Sequence, residues 1–248
     1  MRVALVTGGG SGIGRSAALE LNKIDFTVYV VGRREEELIK TSSLATNNNH
    51  KIIPIKADIT IGSQVVALFD KIKSDHGRID LLFNNAGMGA PRVPIEDLKE
   101  EDWRKTVDVN LTGSFLCSQQ AIKLMKNQSP QGGRIVNNGS VSAHSPRPDT
   151  IAYTATKHAV NGLTKSIALD GRNFNISCSQ LDIGNADTAI GLRFKSGVPQ
   201  ANGEVMVEPV FEAEDCGKAV AYIASLPEGT NILNMTIMAT NMPFVGRG

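Results

Sequence analysis

The stretch Val3-Ala-Leu-Val-Thr-Gly-Gly-Gly-Ser-Gly-Ile-Gly14 decides how the chain is read. Val3 to Thr7 is a short, uninterrupted run of the kind a strand buried on both faces requires. The glycines follow at once, and Arg15 to Asn22 then has the pattern of a helix. Strand, glycine turn and helix in this order make a phosphate cradle: the glycines let the backbone approach a pyrophosphate, and the helix start offers unpaired N–H groups. Gly8, Ser11, Gly12, Ile13 and Gly14 are therefore candidates to line a dinucleotide. A glycine turn alone is also simply a tight turn, so the flanks carry the argument.

Phe26 to Val31 reads as a second buried strand, and an acidic residue that binds the adenosine ribose is expected near its end. Gly32-Arg33-Arg34 stands there instead. Guanidinium groups at this place favour a 2′-phosphate, which predicts NADP(H) in preference to NAD(H). The alternative is a pair of solvated arginines ahead of a helix from Glu35 to Thr46. Lys51 to Ile55 gives a third strand; Asp58, with Ile59 beside it, can accept from an adenine amino group or can cap a helix from Ile61 to Asp75. Ile79 to Phe83 is a fourth strand running into Asn84-Asn85-Ala86-Gly87, a small polar turn where a ligand can come close. This β-α alternation points to a doubly wound parallel sheet.

Tyr153-Thr-Ala-Thr-Lys157 places a phenol and an ammonium four residues apart, on one helical face. A fixed positive charge favours the phenolate of a group whose free pKa is about 10, so such a tyrosine can trade protons with an alcohol or a carbonyl. The plain alternative is an amphipathic helix, Ile151 to Leu169, that carries both by chance.

Lys plus Arg number 26 against 25 Asp plus Glu, a balance that provides no basic field for nucleic acid and favours small-molecule partners. Cys117, Cys178 and Cys216 lie far apart without CxxC spacing, which suggests neither disulfides nor a metal cluster and fits a cytoplasmic setting. The amino terminus has too short an apolar run for a secretory signal. The uncharged stretch from Gly229 to Gly246 is interrupted by Asn231, Asn234, Asn241 and Pro243, so no membrane span is expected. One domain, 1–248, is the expectation.

Thr7 to Gly14, Asn84-Asn85-Ala86-Gly87 and Tyr153-x-x-x-Lys157, in this order, resemble the signatures of the short-chain dehydrogenase/reductase family in its shorter branch, and the likeness covers nearly the whole chain. The resemblance implies a single-domain, Rossmann-like, seven-stranded parallel sheet with helices on both faces. The remaining strands then fall at Gly133–Asn138, Asn175–Gln180 and Ile232–Ile237, and the last helix at Glu212–Ser225. It also implies hydride transfer between a nicotinamide and a carbonyl or secondary alcohol, with Asn110, Ser140, Tyr153 and Lys157 as the catalytic set. Ser140 stands thirteen residues before Tyr153 and takes the place of the family's serine, with Ser142 as the alternative. By the same likeness Lys157 and Tyr153 also meet the nicotinamide ribose, and the Asn110 carbonyl holds a water linking the lysine to solvent.

Asn110 falls in a long, mildly broken helix from Glu100 to Asn127, which Gly113 weakens. Asn85, Ala86 and Gly87 join the cofactor set, as do Ile183, Gly184, Ala186 and Thr188, although Ile183 stands where relatives usually have proline. Met238-Ala-Thr-Asn241 likewise departs from the usual Asp-Gly-Gly. Residues 185–211 are the expected substrate lid, in which Arg193 and Lys195 either hold a carboxylate or are solvated. His144 is expected to be solvated, or else to enter the pocket. The family packs such helices between subunits, so a homotetramer or dimer is expected. A dinucleotide-binding sensor without turnover is the alternative function.

Overall fold

The structure is a computed structural model that describes residues 1–188 and 191–245, apart from the side chains of Leu192 and Arg193. Seven strands form one sheet: β1 (Arg2–Thr7), β2 (Phe26–Gly32), β3 (Ile52–Lys56), β4 (Leu81–Asn84), β5 (Gly133–Asn138), β6 (Ile176–Ile183) and β7 (Asn234–Ile237). Their order is β7-β6-β5-β4-β1-β2-β3, and every pairing is parallel. The expected doubly wound sheet is thus present. The order reverses between β1 and β4, whose following helices pack on opposite faces of the sheet, and a crevice opens there at the carboxyl ends of the strands.

Helices α1 (Gly12–Lys23), α2 (Glu35–Ser43), α3 (Gly62–His76), α4 (Glu100–Val107), α5 (Gly113–Asn127), α6 (Ile151–Asp170), α7 (Leu192–Ser196) and α8 (Ala213–Ser225) complete the chain's main elements. Strand periodicity builds two cores. Val3, Leu5, Tyr29 and Val31 face α3, α5 and α6 with Leu68, Met125 and Ile167. Ala4, Val6, Val28 and Val30 face α1, α2 and α8 with Leu21, Leu38 and Val220.

Three readings differ from the structure. The long helix is widened rather than broken: Asp108–Thr112 is a π turn between α4 and α5, and it buries Asn110. Gly113 follows it because an added Cβ would lie 2.6 Å from Ile59 Cδ1. Asp58 does not cap α3, whose N-cap is Ile61; its Oδ1 accepts from Thr60 N at 3.0 Å and Thr60 Oγ1 at 2.7 Å, closing a local turn. The lid region has more order than its sequence suggests. It contains α7 and two short strand pairs, Ala186–Asp187 with Phe211–Glu212 and Val198–Pro199 with Val205–Met206. Ala189 and Ile190, within the same stretch, lie outside the described residues.

Candidate active site

The crevice holds a cavity of about 390 Å³ that runs from Arg33 and Asp58 at one end, past the glycine loop, to Ser140, Tyr153 and Lys157. Gly8 has φ +65° and an added Cβ there would lie 2.9 Å from Ala86 Cα. A Cβ on Gly14 would stand 2.2 Å from the Gly8 carbonyl oxygen. Only glycine fits either place, and the result is a concave backbone surface at the start of α1, as a pyrophosphate requires. Thr7 and Asn85 lock this loop to the turn after β4. Thr7 Oγ1 accepts from the backbone N–H groups of Asn85 and Ala86 at 3.0 Å each, and Asn85 Nδ2 donates to the Thr7 carbonyl at 3.0 Å.

At the end of the cavity beyond the glycine loop Arg33 and Arg34 are exposed and line it. Arg34 Nη2 donates to Ser11 Oγ at 3.3 Å. Glu37 also lines this end, a carboxylate in the first turn of α2 and not directly after β2, where the sequence pattern places a ribose-binding acid. Arg15 Nη2 holds it at 2.7 Å, and that hydrogen bond lowers the Glu37 pKa. Asp58 is lowered too: burial opposes this, but the bonds from Thr60 and the nearby charge of Arg33 prevail. Ile59, Gly87, Ile183, Gly184, Ala186 and Thr188 line the same cavity, with Thr188 Cγ2 facing Gly12.

At the other end Lys157 is buried, and its Nζ donates to the Asn138 carbonyl at 2.7 Å and lies 5.5 Å from the Tyr153 ring centre. Ser140, also buried, accepts from Ser142 N at 3.1 Å, which leaves its own O–H as a donor. Asn110 does not line the cavity; it stands behind it. Its Oδ1 accepts from Met88 N at 2.8 Å, and its Nδ2 donates to Met88 O at 3.0 Å and Thr156 Oγ1 at 3.2 Å. The Asn110 carbonyl accepts from Ser114 Oγ at 3.1 Å.

The family model for short chain dehydrogenases matches residues 2–197 of this chain. The chain belongs to the short-chain dehydrogenase/reductase family. It is 35% identical over 207 residues to a 3β-hydroxysteroid dehydrogenase of Mediterraneibacter gnavus, covering 84% of this chain and 74% of that one. A 3-ketoacyl-(acyl-carrier-protein) reductase of Brucella melitensis complexed with NADH superposes with a TM-score of 0.84 at 25% identity, over 97% of this chain and 98% of the other. A variant of actinorhodin polyketide ketoreductase with NADPH does so with a TM-score of 0.84 at 25% identity, over 95% of each chain.

Several residues that shape this reductase-family site carried no signal in the sequence. Arg147 is buried and lines the cavity, where both its Nη atoms meet the buried Glu208 at 2.5 and 2.6 Å. Asn185 joins them, accepting from Arg147 at 3.1 Å and donating to Glu208 at 2.7 Å. This network ties the loop before α6 to the lid. His144 is not merely solvated, since its Nε2 lies 2.7 Å from Asp182 Oδ2. Lys195 is engaged by Asp187 at 2.6 Å, and the Arg193 side chain lies outside the described residues. Among the described residues no group of His, Cys, Asp and Glu is arranged to hold a metal, and no helix is long and apolar enough to cross a membrane.

Proposed function

We propose that this chain, acting as one domain over residues 1–248, is an NADP(H)-dependent oxidoreductase that interconverts a carbonyl and a secondary alcohol on a small molecule. The observation that carries the reading is that Ser140, Tyr153 and Lys157 meet in one cavity continuous with the glycine cradle. The cofactor, when bound, supplies or accepts the hydride. The cradle from Gly8 to Gly14 would hold its pyrophosphate, Arg33 and Arg34 a 2′-phosphate, Asp58 and Ile59 the adenine edge. Asn85, Ala86 and Gly87, with Ile183, Gly184, Ala186 and Thr188, would border the remainder.

In the direction of reduction the Tyr153 hydroxyl donates its proton to the carbonyl oxygen, and the Ser140 O–H donates a hydrogen bond to the same oxygen. Lys157 spends one N–H on Asn138 and keeps two for a ribose hydroxyl and for the proton path past Tyr153. Asn110 anchors that path: its side chain fixes Met88 and Thr156, and its carbonyl, which accepts from Ser114 Oγ, keeps a second lone pair for a relay water.

Two further readings go with this function. Exposed Phe115 on α5 and Leu169 on α6 support a homotetramer or dimer, to be checked by light scattering at dilute concentration. Three buried free cysteines support a cytoplasmic location. The deciding experiment follows NADPH absorbance with a panel of ketones and aldehydes. Turnover that disappears in Tyr153→Phe supports the reading; binding of NADPH with no turnover on any carbonyl would leave a dinucleotide sensor.

A further inference from the structure

Asp182 stands near the end of β6 between the buried Leu181 and Ile183 and is itself fully buried. A carboxylate in such a place is costly unless hydrogen bonds replace its water. Four donors do so. Oδ1 accepts from Ser140 N at 2.9 Å and Gln180 Nε2 at 2.7 Å, while Oδ2 faces His144 Nε2 at 2.7 Å and accepts from Asn234 Nδ2 at 2.8 Å.

Two of these partners begin and end the same turn. Between them, Ser140 O accepts from Ala143 N at 2.8 Å and Val141 O from His144 N at 3.1 Å, so Ser140 to His144 is a compact loop gripped at both ends by one carboxylate. Gly139 makes the grip sterically feasible, because an added Cβ there would lie 2.1 Å from Asp182 Oδ1. The carboxylate therefore passes where a side chain would stand and meets the main chain of Ser140 itself. It fixes the direction from which the Ser140 hydroxyl enters the cavity.

We propose that Asp182 is a positioning residue for catalysis, acting through Ser140, with His144 as the second anchor of the same turn. The inference rests on the reading that Ser140 binds the substrate oxygen. A group that only stabilised the sheet would act on folding and not depend on the Ser140 hydroxyl. A group that aims the hydroxyl matters only while the hydroxyl is there.

The test is a double-mutant cycle with NADPH and a carbonyl substrate that the wild-type enzyme reduces. Thermal unfolding and NADPH binding are measured on each variant. Ser140→Ala should lower kcat by on the order of 100-fold, the scale of losing one oriented donor. Asp182→Ala should lower kcat by roughly tenfold or more with NADPH affinity retained, yet add less than about twofold in the Ser140→Ala background. Asp182→Asn keeps an oxygen for the Ser140 N–H and should stay within about threefold of wild type. If Asp182→Ala does not fold, the cycle is run with His144→Ala, which removes the second anchor from the half-exposed end of the turn and should lower kcat by about threefold or more only while the Ser140 hydroxyl is present; a loss of equal size in both backgrounds, or no loss, overturns the proposal. The same equality for Asp182→Ala, or an unchanged kcat, also overturns it. Full activity in Ser140→Ala instead defeats the reading of Ser140, and this proposal with it.

Discussion

The Lys157 ammonium donates to the main-chain carbonyl of Asn138, at the carboxyl end of β5, at 2.7 Å, and this bond fixes the lysine where α6 meets the sheet. Asn138 Nδ2 in turn donates to Asn85 Oδ1 at 2.9 Å, so the lysine, the turn after β4 and the glycine loop form one rigid unit. Tyr153 and Lys157 should therefore separate in their effects. Tyr153→Phe is expected to lower kcat by about 10²–10⁴-fold or more, the usual range for a lost acid, while sparing NADPH binding. Lys157→Met should lower both kcat and NADPH affinity. Steady-state kinetics with fluorescence titration of NADPH checks both; equal NADPH affinity in the two variants contradicts the second role of Lys157.

Arg147 and Glu208 form a buried bidentate pair whose loss leaves one charge uncompensated. Glu208→Gln is expected to destabilise by roughly 3–5 kcal/mol, and replacing both partners by apolar residues to cost far less. Urea unfolding of the two variants measures the difference.

The same pair predicts an acid dependence. Burial alone would raise the Glu208 carboxyl, but hydrogen bonds from Arg147, Asn185 and Gln200 and the charge of Arg147 lower it to about 2. Its ordinary value is 4.5. A depressed folded-state pKa gives stability that is fully present above the unfolded value and is lost as pH falls toward 2. The wild type should therefore lose stability between about pH 4.5 and 2 more steeply than Arg147→Met/Glu208→Leu. Parallel curves would show that the pair does not titrate this way.

The order of strands and helices, and the glycine loop, were legible because each rests on local pattern: apolar runs, a turn that needs glycine, and a helix that follows. The residues gathered around Ser140 and the lid were not. His144 and Asp182 are 38 positions apart, and Arg147 and Glu208 are 61 apart, with no periodicity joining either pair. Asp182 falls two residues past the run Asn175–Gln180 that reads as a strand, and nothing beside it in sequence points to the Ser140 turn that folds over it. The π turn at Asn110 was visible only as a weak glycine in a helix, since one extra residue per turn leaves little trace in composition.

Gly14 offers a sharper test of the cradle than a cofactor contact does. A Cβ there would lie 2.2 Å from Gly8 O and 2.5 Å from Asn85 Nδ2, so alanine must push the loop away from the turn after β4. Gly14→Ala should cost about 1–3 kcal/mol of stability and weaken dinucleotide binding, as overpacked sites do. Thermal unfolding with and without NADPH measures both, and wild-type behaviour in each would show that the loop has room.

Arg33 and Arg34 line the cavity with Glu37, whose carboxylate is engaged by Arg15, at the end where the proposed function puts the adenosine. With that acid held by Arg15, the guanidinium donors of Arg33 and Arg34 are, on the proposed NADP(H) reading, the groups that would meet a 2′-phosphate. Charge-assisted hydrogen bonds contribute about 1.5–3 kcal/mol each, so Arg33→Ala/Arg34→Ala should raise the KM for NADPH by at least about tenfold. NADH carries no 2′-phosphate, and its KM should change by less than about threefold on the same scale. Arg15→Met, in contrast, releases Glu37 and should worsen NADPH binding with both arginines in place, because a freed carboxylate then faces the phosphate. Michaelis constants for both cofactors across the three enzymes check the argument. A wild type that prefers NADH, or an arginine double variant that loses both cofactors equally, contradicts it.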